Sequence, residues 1–97
     1  MSSPIVFRRI AKAEMDEAIA WYEKQRVNLG IELAAEIDRI LEKVSQNAKQ
    51  FPQIRGNIRR ALLRRFPYGL HFIHEEHRVV IVAVFHVKRN PQLLEDR

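Results

Sequence analysis

The sequence predicts an α+β fold in which a helical hairpin packs on a mostly antiparallel sheet, in the order β-α-α-β-β-β. Three observations predict it. A short β-rich run opens the chain, two stretches in the first half carry apolar residues at helical spacing, and the second half turns to extended runs broken by turn residues. The 97 residues suffice for one domain, expected to span 1–97, because a chain of this size buries only about two-thirds of its surface around one core.

Ile5-Val6-Phe7 after Pro4 is the opening strand, closed by Arg8-Arg9. Ala11, Met15, Ala18, Ile19 and Tyr22 then share one helical face, with Glu14, Asp16, Glu17, Glu23 and Lys24 largely opposite, so residues 12–26 are expected to be helical. The acids come early and Lys24 and Arg26 late, as the helix dipole prefers. Asn28-Leu29-Gly30 interrupts the pattern, since Asn caps well and Gly is a poor interior residue. Leu33, Ile37, Ile40, Leu41 and Val44 form the stripe of a second helix, which ends before Pro52. The connection is short, so the two helices are expected to lie antiparallel.

From Ile58 onward the residues read as strands. Pro67-Tyr68-Gly69 supplies a tight turn, residues 70–74 return, and Glu75-Glu76-His77 turns again. Residues 78–87 are apolar on both alternating faces, Val80, Val82 and Val84 against Val79, Ile81, Ala83 and Phe85. That pattern predicts a central strand covered on both sides.

Charge is divided unevenly. Residues 1–50 carry eight Lys/Arg and eight acids, whereas residues 51–97 carry nine Lys/Arg and four acids, so the net charge of +5 lies in the second half. Arg59, Arg60, Arg64 and Arg65 form its densest block. An excess of this kind points to an anionic partner, such as nucleic acid, a ribosome or an acidic peptide, or to a basic surface kept for solubility. Simple alternation would place Arg59 and Arg65 on one face and Arg60 and Arg64 on the other. An edge position would allow pairing with a partner strand, and edge arginines also guard against aggregation. Cysteine is absent, so thiolate metal sites and disulfides are excluded, and a cytoplasmic setting without membrane association is expected. His71, His74 and His77 alternate faces on an extended strand, so no metal site is expected, and no cofactor is implied.

Trp21-Tyr22, Phe51-Pro52, the run from Arg59 to Gly69, and Val82-Ala83-Val84-Phe85-His86 before Arg89-Asn90-Pro91 together resemble the RelE/ParE superfamily of toxins from bacterial toxin–antitoxin systems. The resemblance spans nearly the whole chain in the right order. It implies a growth-inhibiting toxin held inactive in a hetero-oligomer by a cognate antitoxin with a flexible, often acidic segment. RelE-type members cut messenger RNA on the ribosome, and ParE-type members are associated with poisoning DNA gyrase; a domesticated, non-toxic member is a third reading.

Metal-free RNA cleavage through a 2′-hydroxyl needs a base, an acid and cations for the phosphorane charge. His86 and Arg89, with Arg65 and Tyr68, are the candidates for such a role. The position after Tyr68, where RelE-like sequences tend to carry Arg, is Gly69, and residues 90–97 contain no Tyr or His. These departures favour the ParE-like branch, in which Arg59, Arg60, Arg64, Arg65, Lys88 and Arg89 would bind antitoxin or target.

Overall fold

In the computed structural model, which describes residues 2–97, the opening run forms strand β1 (Ile5–Phe7) and the two amphipathic stretches form helices α1 (Arg9–Gln25) and α2 (Leu29–Gln46). A 3-10 turn at Ala48–Gln50 leads to β2 (Gln53–Arg55), β3 (Ile58–Leu62), β4 (Tyr68–His74) and β5 (Val79–His86), and a second 3-10 segment covers Pro91–Asp96. The strands make one sheet in the order β1-β5-β4-β3-β2. Among the described residues, only the β1–β5 pairing is parallel. The α+β class and the hairpin therefore hold, with one strand more than the sequence indicated. Strand β2 leaves no periodic signal in the sequence, because Pro52 and Gly56 confine it to three residues.

The helices begin and meet in ways that spacing did not show. Helix α1 starts at Arg9, ahead of the expected residue 12, because β1 ends at Phe7 and the Arg8 carbonyl accepts from Lys12 N–H at once. Asn28 adopts the left-handed conformation at φ 72°, and its side chain caps nothing. The cap comes instead from α1: the Glu23 carboxylate accepts from Asn28 N–H at 2.9 Å and Gly30 N–H at 3.0 Å. Gly30 lies inside α2 because the helices touch there. A Cβ at this position would stand 2.6 Å from the Ile19 carbonyl oxygen, far inside van der Waals contact.

Two apolar layers flank the sheet. Ala11, Ala18, Leu33, Ile37 and Val44 from the helices pack on Ala61, Leu70, Phe72, Val79, Ile81 and Val84. On the other face, Leu94 of the C-terminal segment closes over Ile58, Val80, Val82, Ala83 and Phe85. Strand β5 is central and covered on both sides, as expected, but strict alternation fails within it. His71 pairs with Ala83 while Phe72 pairs with Ile81, so Val82 is an extra residue in a β-bulge. The bulge reverses the facing of everything after it. Val84 therefore joins Val79 and Ile81 under the helices, and Ala83 and Phe85 join Val80 and Val82 opposite.

Tyr68 and Gly69 belong to β4 rather than to a turn. The reversal occupies residues 63–67, closed by Leu63 N–H to the Tyr68 carbonyl at 2.9 Å. Strand β3 has thus ended before Arg64, and the expected sharing of faces by Arg59 with Arg65 and by Arg60 with Arg64 does not occur. Nor is β3 an edge strand: β2 lies outside it.

Candidate functional site

The arginine block is distributed by the fold into three settings. Arg59 turns toward the helical layer and donates to the Phe51 carbonyl at 2.6 Å and more weakly to Lys49. Arg60 faces the other way, directly across from His71 on β4. Arg64 and Arg65 ride on the β3–β4 turn, whose conformation is fixed by a buried acid. Glu36 of α2 is only 4% exposed, and its carboxylate accepts from Arg64 N–H at 2.5 Å and Arg65 N–H at 3.2 Å. Two successive amides converging on one oxygen form a strong anion cradle, filled here by the chain's own carboxylate.

Beside that turn runs a groove of about 540 Å³ between α2 and the end of β3. Its floor is Ile40, Phe51 and Leu62, and its rim is Arg39, Lys43, Arg64 and Arg65. Arg65 is paired with Glu32 at 2.6 Å. Among the described residues, Arg39, Lys43 and Arg64 have no carboxylate partner. An apolar floor under unpaired cations suits an acidic, amphipathic segment.

A second cleft, of about 460 Å³, lies between α1 and the end of β5, lined by Trp21, Lys24, Tyr68, His86 and Arg89 among others. Of the four candidates for RNA cleavage, the fold brings together Tyr68, His86 and Arg89. Tyr68 and His86 are cross-strand partners whose rings meet edge to face at 5.3 Å. Arg65 lines the other groove. His86 Nδ1 accepts from Lys88 N–H at 3.1 Å, so one ring nitrogen is committed to the turn. Burial, with Tyr22 and Glu17 nearby, pushes the Tyr68 phenol above its ordinary pKa, which keeps its proton on at neutral pH. The Lys88 side chain is exposed and makes no hydrogen bond or ion pair among the described residues.

Arg89 is held by Glu14, which helical spacing marks only as a residue of the polar face of α1. The Glu14 carboxylate, on a side chain 10% exposed, accepts from Arg89 at 2.9 Å, from Arg97 at 2.9 and 3.0 Å, and from Val84 N–H at 3.0 Å. Arg97 also donates to the Val82 carbonyl at 2.9 Å. These groups serve the stretch of β5 that runs past the end of β1, where backbone donors and acceptors lack a neighbouring strand. Burial works to raise the Glu14 pKa, but the Arg97 hydrogen bonds, the Val84 amide and the two guanidinium charges outweigh it and hold the carboxyl below its usual value. Both guanidinium groups stack on Phe85, at 4.4 Å for Arg89 and 5.1 Å for Arg97. No local signal in the sequence marks this cluster, in which Glu14 stands 70 to 83 residues from its partners.

No protein-family model and no curated protein matches this sequence. Among solved structures, a chain from the structure titled "Chromosomal ParDE TA system from P. aeruginosa" superposes with a TM-score of 0.73 at 18% identity, covering 88% of this chain and 96% of that one. The chain thus has the RelE/ParE-like fold.

Proposed function

We propose that this protein is the toxin of a type II toxin–antitoxin module, of the ParE-like kind, and that the groove between α2 and the β3–β4 turn receives the acidic, amphipathic segment of its antitoxin. The observation that carries the reading is the unpaired Arg39, Lys43 and Arg64 over the apolar floor of Ile40, Phe51 and Leu62. The matched solved structure comes from a ParDE system, which supports the same module. When released, the protein inhibits growth by binding an essential target, DNA gyrase by family resemblance.

The cleft geometry supports binding over cutting. Arg89 is paired with Glu14, His86 spends one nitrogen on the turn, and Arg65 lies in the other groove, so the four candidates do not assemble as one set. The adjacency of Tyr68, His86 and Arg89 keeps ribosome-dependent messenger RNA cleavage as the second reading.

Two assays separate them. Purified protein is expected to inhibit supercoiling by gyrase or trap cleaved plasmid, and to leave message on programmed ribosomes intact. Defined cuts that disappear on His86→Ala would overturn the binding reading. For the groove, the double charge reversal Lys43→Glu with Arg64→Glu is expected to weaken binding of the antitoxin encoded beside the gene by at least about tenfold, measured by calorimetry. Unchanged affinity would place the antitoxin on another surface.

A further inference from the structure

Glu36 is satisfied at one oxygen only. Oε2 accepts from the Arg64 and Arg65 amides at 2.5 and 3.2 Å, whereas Oε1 is buried with no hydrogen-bond partner among the described residues. A buried carboxylate oxygen without a donor is costly, and folded proteins seldom leave one so. The same residue, 4% exposed, lines the groove of about 540 Å³ beside α2. None of the groove's own donors serves Oε1. The Gln50 carboxamide donates to the Lys43 and Asn47 carbonyls at 3.2 and 3.0 Å, and the Arg65 guanidinium donates to Glu32 at 2.6 Å. Arg39, Lys43 and Arg64 line the groove without bonding to it.

We propose that Glu36 is the specificity-determining residue of this groove: the bound segment carries, among its acids, one neutral side-chain donor, a hydroxyl or a primary amide, that completes Oε1. The inference rests on the groove receiving an acidic, amphipathic segment, and it adds the one polar position at which that segment is read. Acids on the segment meet Arg39, Lys43 and Arg64, contacts that any acidic chain can make. Glu36 discriminates where those cations do not. A methyl group over Oε1 leaves the oxygen unpaired, and a carboxylate there meets a like charge, so both are rejected. Lysine or arginine would answer Oε1 but is opposed by the four cations that share the lining. A neutral donor satisfies the oxygen without adding charge of either sign. It enters from the groove, past Arg39 and Arg64, whose side chains are exposed and able to change rotamer as an interface forms.

The test is calorimetry with the antitoxin encoded beside the gene as titrant. Glu36→Gln keeps a carbonyl oxygen for the two turn amides, replaces Oε1 by an N–H donor, and removes a negative charge from a cationic groove. Coulomb attraction alone would then tighten the binding of an acidic segment. A loss of at least about tenfold is expected instead, the variant being checked for an unchanged amide spectrum. In a second arm, each Ser, Thr, Asn and Gln of the antitoxin is replaced by alanine in turn. One replacement is expected to cost at least about tenfold against the wild-type protein and less than about twofold against Glu36→Gln, the coupling that a shared contact produces. A third readout needs no change in this protein: the NMR signal of the Glu36 carboxyl carbon is expected to shift on saturation with antitoxin, and it decides the question if Glu36→Gln does not fold. Equal or tighter binding by Glu36→Gln, a scan in which no position couples to Glu36, or an unmoved carboxyl signal would overturn the proposal. If the Lys43→Glu with Arg64→Glu protein loses affinity while Glu36→Gln keeps it, the groove stands and only the role of Glu36 falls; full affinity in that double variant removes the groove itself and this inference with it.

Discussion

Glu36 shows how much one side chain can decide. Its carboxylate fixes the β3–β4 turn through two amides while itself buried, so truncation leaves Arg64 N–H and Arg65 N–H without their acceptor. Glu36→Ala is expected to cost about 2–4 kcal/mol in chemical denaturation, a charged hydrogen-bond acceptor being worth more than a neutral one. Glu42→Ala, on the outer face of the same helix, should change stability by less than about 0.5 kcal/mol. His71 provides a pH signature. Burial, reinforced by the Arg60 charge, lowers its pKa from 6.5 to about 4. The unfolded chain therefore binds the proton more readily than the folded one, and the associated stability is fully present above pH 6.5 and lost as pH falls toward 4. The loss is expected to be on the order of 2–3 kcal/mol and to disappear in His71→Leu, as read from denaturation midpoints across pH. Glu14, held below its ordinary pKa of 4.5, adds a further loss as pH falls through and below that value.

At the scale of elements, the hairpin depends on the close crossing of α1 and α2. Gly30→Ala drives a methyl group against the Ile19 carbonyl and the Glu23 side chain, which also caps α2. A loss of about 1–3 kcal/mol is expected in thermal unfolding, the cost of overpacking, although alanine has the higher helix propensity. A stabilised variant would show that the helices separate without penalty. Strand β5 illustrates a second dependence. Its bulge at Val82 puts Val84 under the helices and turns its N–H toward Glu14, so the position of α1 and the facing of β5 are set together.

At the scale of the molecule, the C-terminal segment acts as the second lid of the sheet. Leu94 is 1% exposed, and Arg97 shares the Glu14 carboxylate with Arg89. Leu94→Ala is expected to cost about 2–4 kcal/mol in a denaturant titration. A cost below about 1 kcal/mol would mean the segment packs only loosely. Among the described residues, no helix is long and apolar enough to cross a membrane. Exposed Trp21, Val27, Ile31 and Leu62 are distributed around the helices and the groove rather than gathered in a span.

The amino-acid order by itself determined the two helices, the strand-rich second half, the covered character of β5 and the concentration of charge after Phe51. Each of these is local: a period of 3.6 or 2, a turn residue, a count. Only the tertiary structure decided the rest. Alternation could not foresee the bulge at Val82, because a single extra residue leaves an all-apolar run looking the same while reversing its faces. The arginines gave one reading as a block and another once the chain reversed after Leu62, which sent Arg59 to the helices, Arg60 to the opposite face, and Arg64 and Arg65 to the turn over Glu36. Glu14, Arg89 and Arg97 carry no pattern in the sequence, since what unites them is a backbone edge left bare where β1 stops. Spacing records which neighbours a residue has along the chain, and these sites are made by the neighbours it gains across it.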